Sequence, residues 1–261
     1  MKKLTNSFVL TIIAITMMSL TSLAQLSGTY TIDHNGSGTS NYTTFAAATS
    51  ALSTSGVSGP VTFNVASGIY TEQVTFGMYT GASSTNNITF KWGPTGFSQS
   101  TGAIITFAPT SSAVTSNYTV RFSNARYITL KGLTIETSGT NFGRLVNISG
   151  NSNNVIHVDS CTFNGYVGSN SSSFALWYGT GMHYDSLTIE NSTFNDGSYG
   201  VYLNGTSSAM SENLVFRNNT LSGFNYSYGL LAGYTNSGDI SNNTIHQSAT
   251  ATSFGYGLRL Y

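Results

Sequence analysis

Apolar residues recur in this chain with two interlocked periods, one inside short segments and one between them. Five octets align without gaps: Ile128-Thr-Leu-Lys-Gly-Leu-Thr-Ile135, Ile156-His-Val-Asp-Ser-Cys-Thr-Phe163, Leu187-Thr-Ile-Glu-Asn-Ser-Thr-Phe194, Leu214-Val-Phe-Arg-Asn-Asn-Thr-Leu221 and Gly238-Asp-Ile-Ser-Asn-Asn-Thr-Ile245. Their starts at 128, 156, 187, 214 and 238 are separated by 28, 31, 27 and 24 residues. The third position is always apolar (Leu130, Val158, Ile189, Phe216, Ile240), as is the eighth (Ile135, Phe163, Phe194, Leu221, Ile245), and the seventh is always threonine. Between octets a second motif keeps the same pace: an aromatic, a small residue, then alternating apolar positions. It reads Phe142-Gly143, Phe174-Ala175-Leu176-Trp177-Tyr178, Tyr199-Gly200-Val201-Tyr202-Leu203, Tyr228-Gly229-Leu230-Leu231-Ala232 and Tyr256-Gly257-Leu258-Arg259-Leu260.

Alternation with period two is the signature of strands whose successive side chains point to opposite faces. One such unit cannot bury its inward face alone, so the units must stack. Stacking sets equivalent residues of successive coils about 4.8 Å apart and turns the inward positions into continuous apolar columns. The pattern therefore predicts an all-β right-handed parallel β-helix, the handedness following from the general preference of parallel crossovers. At the fifth octet position stand Gly132, Ser160, Asn191, Asn218 and Asn242, where the chain must bend. Glycine and asparagine tolerate the left-handed backbone of such a bend, and stacked asparagine amides can bond from coil to coil.

The amino-terminal part is organised differently. Tyr42 to Leu52 is a short Ala-rich amphipathic segment with Phe45, Ala48 and Leu52 on one face, ending before Gly56. Strand-like runs follow at Val61–Val65 and Glu72–Phe76, joined through Gly68-Ile69-Tyr70. A helix there would cap the first coil, whose bare edge would otherwise accept strands from other chains. At the other end the chain stops inside a strand motif, Leu258-Arg259-Leu260-Tyr261, and the expectation is an amino-terminal piece of a longer protein.

The first residues change the picture of where the protein works. Met1-Lys2-Lys3 precedes a 13-residue, mostly apolar run from Phe8 to Leu20, followed by Thr21-Ser22-Leu23-Ala24. A basic start, a short apolar core and small residues at Ser22 and Ala24 predict a secretory signal peptide cut after Ala24. The run is too short for the roughly 20 residues of a membrane-spanning helix, so no membrane span is expected after cleavage. The expected division is thus a signal peptide over 1–24, a cap with the first coils over 25–85, and β-helix coils over 86–261. A secreted protein follows, possible attachment to the outer cell surface included.

Lys+Arg and Asp+Glu number 9 each, and charged residues make up 7% of the chain, against about 25% in ordinary soluble domains. Without Lys2 and Lys3 the balance is 7 − 9 = −2. No clustered basic surface for nucleic acid is expected. Hydrophobic residues at 39%, aromatics at 13%, exclude a disordered chain. The single cysteine, Cys161, falls in the repeat and predicts a buried thiol with no disulfide framework.

Gly36-Ser-Gly-Thr-Ser-Asn-Tyr-Thr-Thr-Phe-Ala-Ala-Ala-Thr-Ser-Ala-Leu52, followed by Gly68-Ile-Tyr-Thr-Glu-Gln-Val74, resembles the start of pectinesterase-type and related pectin-lyase-like β-helices. In those families a Gly-Ser-Gly turn leads into a capping helix, then a strand and a Gly-x-Tyr-x-Glu-x-Val element. The octets resemble the short parallel β-helix repeats of the same superfamily, and the chain is also similar to large surface proteins exported by Bacteroidetes-type bacteria. The pectinesterase catalytic motifs do not carry over. There is no Gly-x-x-Asp-Phe-type strand, and none of Pro60, Pro94 and Pro109 follows an arginine, so no Arg-Pro-Trp-type element exists. A shared fold does not license an activity.

Four constellations could carry chemistry. The fourth octet position reads Lys131, Asp159, Glu190, Arg217, Ser241, so stacking sets Asp159 beside Glu190. Carboxylates about 5 Å apart could act as nucleophile and acid in glycoside hydrolysis; the ordinary alternative is a solvent-facing ladder pairing Lys131 with Asp159 and Arg217 with Glu190. Asp185 and Glu212, each two residues before an octet, are candidates for a shared cation. Lyases of the resembled superfamily use calcium, which implies Ca2+ as that ion. Trp177 and Tyr202, continued by Leu231 and Arg259, are read as outward positions of successive strands, a platform for sugar rings. His34, His157, His183 and His246 share no metal-ligand spacing.

The sequence thus predicts an exported β-helix that engages a polysaccharide or cell-surface glycan through Trp177, Tyr202 and Arg259, as an adhesin or binding scaffold without evident catalysis or cofactor. The alternative is a polysaccharide lyase, glycoside hydrolase or carbohydrate esterase whose catalytic coils include Asp159 and Glu190 or lie beyond Tyr261.

Overall fold

A computed structural model describes residues 24–93, 102–167, 170–251 and 255–261. The leader expected over 1–24 lies, Ala24 apart, outside the described residues. Among the described residues the chain winds through three parallel sheets of nine, seven and seven strands, visiting each once per coil from Val57–Val65 onward. For example, Arg126–Lys131 lies in the first sheet (sheet A), Thr134–Thr137 in the second (sheet B) and Val146–Ser149 in the third (sheet C).

The register is the one the octets predict. Leu130 pairs with Val158, Val158 with Ile189, Ile189 with Phe216 and Phe216 with Ile240 in sheet A. In sheet B, Ile135, Phe163, Phe194, Leu221 and Ile245 pair in the same succession. These columns fill the interior, where Phe163 and Phe194 stack at 4.7 Å and Phe63 and Phe90 do the same nearer the amino terminus. Along sheet B the threonines Thr134, Thr162, Thr193, Thr220 and Thr244 face outward between the buried positions. A β-branched side chain suits that half-exposed pleated surface.

Between sheets A and B the fifth octet position turns the corner. Gly132, Ser160, Asn191, Asn218 and Asn242 have φ of 67°, 56°, 53°, 55° and 54°, the left-handed region that these residue types tolerate. The stronger amide ladder, however, stands one position further on. Asn219 Oδ1 accepts from Ser192 N at 2.9 Å, its Nδ2 donates to Ile189 O, and Asn243 repeats the pattern with Asn219 N and Phe216 O. These amides tie the N–H of the turn residues Ser192 and Asn219 and the carbonyls of the strand residues Ile189 and Phe216 to the next coil.

A helix, α1 (Phe45–Ser55), covers the first coil with Phe45, Ala48 and Leu52 buried, the face expected for it. Thr44 caps it by accepting from Ala47 N, and Gly56 ends it at φ 68°. The Gly-x-Tyr-x-Glu-x-Val element explains itself here. Tyr70 is fully buried, donates to Ile32 O and meets Phe45 edge-on at 5.2 Å. Glu72 was expected within a strand, but it lies between the strands Gly68–Thr71 and Val74–Phe76. Its two carboxylate oxygens accept from Phe45 N (3.0 Å) and Ala46 N (2.8 Å), satisfying donors that a helix start leaves free. Cys161 is a buried free thiol whose pKa burial pushes up to about 12, as befits a core side chain. Among the described residues, no helix is long and apolar enough to cross a membrane.

Candidate functional site

Two outward faces carry the functional candidates. On sheet A, Lys131, Asp159, Glu190 and Arg217 follow one another in register, as the octets require. Lys131 Nζ lies 2.6 Å from Asp159 Oδ2, and Arg217 Nε lies 2.8 Å from Glu190 Oε2. The remaining oxygens are also engaged: Asp159 Oδ1 accepts from Ser160 Oγ and Asn191 Nδ2, and Glu190 Oε1 meets His157 Nε2 at 2.8 Å. Burial pulls both acids upward in pKa, but the bonds outweigh it. Asp159, held by Lys131, Asn191 and Ser160, falls to about 2, and Glu190 is lowered by Arg217 and His157. Neither carboxyl is poised to keep a proton near neutral pH, which a general acid must do. The arrangement is the ion-pair ladder.

Asp185 and Glu212, the candidates for a shared cation, have different surroundings. Calcium takes six to eight oxygens; Glu212 is exposed, Asp185 instead faces His183 Nε2 at 3.5 Å, and among the described residues no three His, Cys, Asp or Glu converge on one point.

The second face is the outside of sheet C, and here the expected platform is corrected. Trp177 points inward, fully buried against Phe122 and Phe163. The backbone pairs Trp177 with Val201 and Tyr178 with Tyr202, one residue out of step with the motif alignment. Phe174, the apparent start of the motif, belongs to the 3-10 turn Ser172–Phe174 rather than to the strand. A one-residue slip exchanges the faces of a strand, so Trp177 goes to the core and Tyr178 takes its place outside.

Tyr202 is where the sequence places it, and it is one of many. Tyr178 and Tyr202 stack at 5.4 Å and 14°, while Tyr199, Tyr228 and Tyr256 form a parallel stack at 5.8 and 5.7 Å. Tyr202 bridges the two stacks, meeting Tyr199 at 5.4 Å and Tyr228 at 5.8 Å, and Tyr226 joins edge-on to Tyr199. Rings stacked along the axis cover one another's faces, so the strip shows edges and hydroxyls to solvent rather than flat faces. Burial and the neighbouring phenols raise Tyr199 to about 12, which keeps it a neutral hydroxyl. Arginines close both ends. The Arg144 guanidinium lies 3.9 Å over the Tyr178 ring, and Arg259 donates to Tyr228 Oη at 2.9 Å beside Tyr256 and Tyr261. Leu231, expected to continue the exposed column, pairs with Tyr202 and Arg259 but is buried.

Tyr178, Tyr199, Tyr226, Tyr228, Tyr256 and Arg144 are the members that the repeat reading does not single out. The chain's 16 tyrosines, several of them at the same motif position in successive coils, were the available signal.

No family model matches the chain, and no curated protein matches it. Solved structures do. A pectin methylesterase in complex with hexasaccharide VII is 15% identical, with a TM-score of 0.51, over 90% of this chain and 72% of that one. A point mutant of a pectin methylesterase in complex with hexasaccharide IV gives the same values. The fold, legible in the octets and shared with these enzymes, is the right-handed parallel β-helix of the pectin-lyase type.

Proposed function

We propose that this protein is a secreted or surface-displayed β-helix that binds carbohydrate along the outside of sheet C, as an adhesin or binding scaffold. The observation that carries the reading is the continuous strip formed by Tyr178, Tyr199, Tyr202, Tyr226, Tyr228 and Tyr256 between Arg144 and Arg259. Phenols that offer an apolar ring and a polar tip suit a sugar, which is itself amphipathic. Two structures of the same fold carry hexasaccharides, which supports a glycan as the ligand class. A glycan array with the protein lacking residues 1–24 tests this. Binding that Tyr202→Ala and Tyr178→Ala each weaken about tenfold supports the strip; binding indifferent to both substitutions would refute it.

A polysaccharide-active enzyme is the second reading, favoured by the esterase identity of the structural neighbours. Its candidates, Asp159 and Glu190, are each fully engaged and ionised in the ladder. Methanol, reducing-end and unsaturated-product assays on the same glycans decide it. Turnover abolished by Asp159→Ala would replace the binding reading.

A further inference from the structure

We propose that the tyrosine strip is a site of covalent modification, at which an oxidant of the haem-peroxidase class, driven by hydrogen peroxide, joins tyrosines of neighbouring coils through a carbon–carbon bond. The bonds assigned are Tyr178 to Tyr202 and Tyr228 to Tyr256, and each staples one coil to the next. Coupling needs the phenols and no sugar, so the proposal stands apart from the carbohydrate reading.

Register selects these two pairs. Tyr178 pairs with Tyr202, and Tyr228 with Tyr256, across parallel strands of sheet C. Equivalent side chains leave parallel strands in the same direction. Here the ring planes lie within 14° and 15° of parallel, with centroids 5.4 and 5.7 Å apart. Each ring carbon therefore stands over its counterpart, about one strand spacing away. Tyr178, Tyr202 and Tyr228 are half-buried and Tyr256 is 57% exposed. Exposed side chains change rotamer within nanoseconds, which is the motion that brings two ring edges together.

Tyr199 connects the pairs, meeting Tyr202 at 5.4 Å and Tyr228 at 5.8 Å. An electron removed at the exposed Tyr256 is replaced in turn from each neighbouring ring, so oxidation spreads without the oxidant touching every phenol. Other tyrosines lack one of these conditions. Tyr70, Tyr79 and Tyr184 are buried. Tyr30 and Tyr42 meet at 5.9 Å, but their planes cross at 52° and they stand out of register, Tyr30 opposite Phe63 and Tyr42 opposite Ile32. Tyr127 is half-buried and has no ring neighbour among the described residues.

The chemistry balances. Each phenol gives up one electron and its hydroxyl proton, leaving a neutral phenoxyl radical. Two radicals combine at the carbons beside their hydroxyls, Cε to Cε. The hydrogen on each of those carbons then moves to its own oxygen and restores both phenols. The two electrons and two protons reduce one hydrogen peroxide to two waters. The product is a staple that this chain has no other side chains to make: Cys161 is the single cysteine and is buried, so no disulfide ties coil to coil. A covalent link between coils restricts the unfolded chain as a disulfide does.

The test treats the purified protein with hydrogen peroxide and a haem peroxidase, then follows dityrosine fluorescence, a denaturing gel and peptide mapping by mass spectrometry. The expected product runs as a monomer and has lost two hydrogens per link. Its linked peptides should join Tyr178 to Tyr202 and Tyr228 to Tyr256. Its melting temperature should rise by about 5–10 °C over the untreated protein. Tyr202→Phe should abolish the first link and Tyr256→Phe the second, because phenylalanine forms no phenoxyl radical, while Tyr127→Phe should change neither. The peptide map of the unsubstituted protein decides the question alone, so a variant that folds poorly does not weaken the test. Dityrosine formed mainly between molecules, or mainly at tyrosines outside these two pairs, would overturn the proposal, as would its absence.

Discussion

Asp159 and Glu190 stand one above the other in adjacent coils, and each is held by a cation on its far side: Lys131 below Asp159 at 2.6 Å, Arg217 above Glu190 at 2.8 Å. Two like charges at one-coil spacing would repel, but the sequence + − − + along the column gives each its own counter-charge. Asp159 gains further from Asn191, whose left-handed backbone at the corner aims the amide back at Oδ1.

That geometry sets a pH dependence. The folded pKa of Asp159, about 2, lies below the ordinary carboxylate value near 3.9. The unfolded chain thus binds the proton first on acidification, so this contribution is complete above about pH 4 and disappears as pH falls towards 2. Glu190 shifts in the same direction. Thermal unfolding followed by circular dichroism should show the melting temperature falling over that window. Asp159→Asn should flatten the fall and cost about 1–3 kcal/mol at pH 7, because it removes the charge that faces Lys131. An equally steep fall in the variant would show that other carboxyls govern acid unfolding.

The amide ladder gives a sharper contrast between neighbours. Asn219 is buried and serves Ser192 N–H and Ile189 C=O at once, whereas Asn218 beside it is exposed and mainly fills a φ of 55°. Asn219→Ala leaves the buried Ser192 N–H unanswered and takes one donor from Ile189 C=O, and should cost about 1–3 kcal/mol. Asn218→Gly keeps the bend and should fall within about 0.5 kcal/mol of the parent. Urea unfolding measures both, and equal losses would mean that the ladder adds nothing beyond the turn.

This contrast also marks what the letters could tell. The octets carried the sheet A and sheet B registers to the residue, because inward and outward positions alternate strictly and the column of threonines fixes the phase. They also located the corner, where Gly132, Asn191, Asn218 and Asn242 share one backbone conformation. Which asparagine bears the ladder was less accessible, since positions five and six are both Asn in two octets and only the turn decides which one faces in. Sheet C was legible only in part. Its coils begin from loops of unequal length, and an aromatic in a 3-10 turn, Phe174, imitates an aromatic at a strand start, Tyr228. The tyrosine strip depends on contacts between columns, Tyr202 with Tyr199 and Tyr228, which no repeat alignment displays.

Glu72 links the first coil to its cap. Its carboxylate accepts from Phe45 N and Ala46 N, and Thr44 accepts from Ala47 N, so three of the free donors of α1 are met by two side chains. Glu72→Gln keeps the shape but loses the charge that favours a helix start, and should cost about 1 kcal/mol. Thr44→Ala should cost about as much. Hydrogen exchange at the Phe45, Ala46 and Ala47 amides should quicken in the variant that removes their own acceptor and not in the other. Uniform quickening would instead mean that the whole cap loosens.

Trp177 separates the core from the binding face most directly. It is fully buried between Phe122 and Phe163, and its Nε1 has no hydrogen-bond partner. Trp177→Ala should cost about 3–5 kcal/mol through the cavity it leaves. Trp177→Phe removes the unanswered N–H while keeping an aromatic plug, so its loss should stay below about 1.5 kcal/mol, the relief of a buried polar group offsetting part of the lost volume. Tyr202→Ala, at the half-exposed strip, should change stability far less than Trp177→Ala but take away glycan binding. Urea unfolding and the glycan array on all three variants distinguish these roles. A Trp177→Phe protein that is as stable as the parent yet has lost glycan binding would place the indole at the ligand and contradict the inward register of this strand.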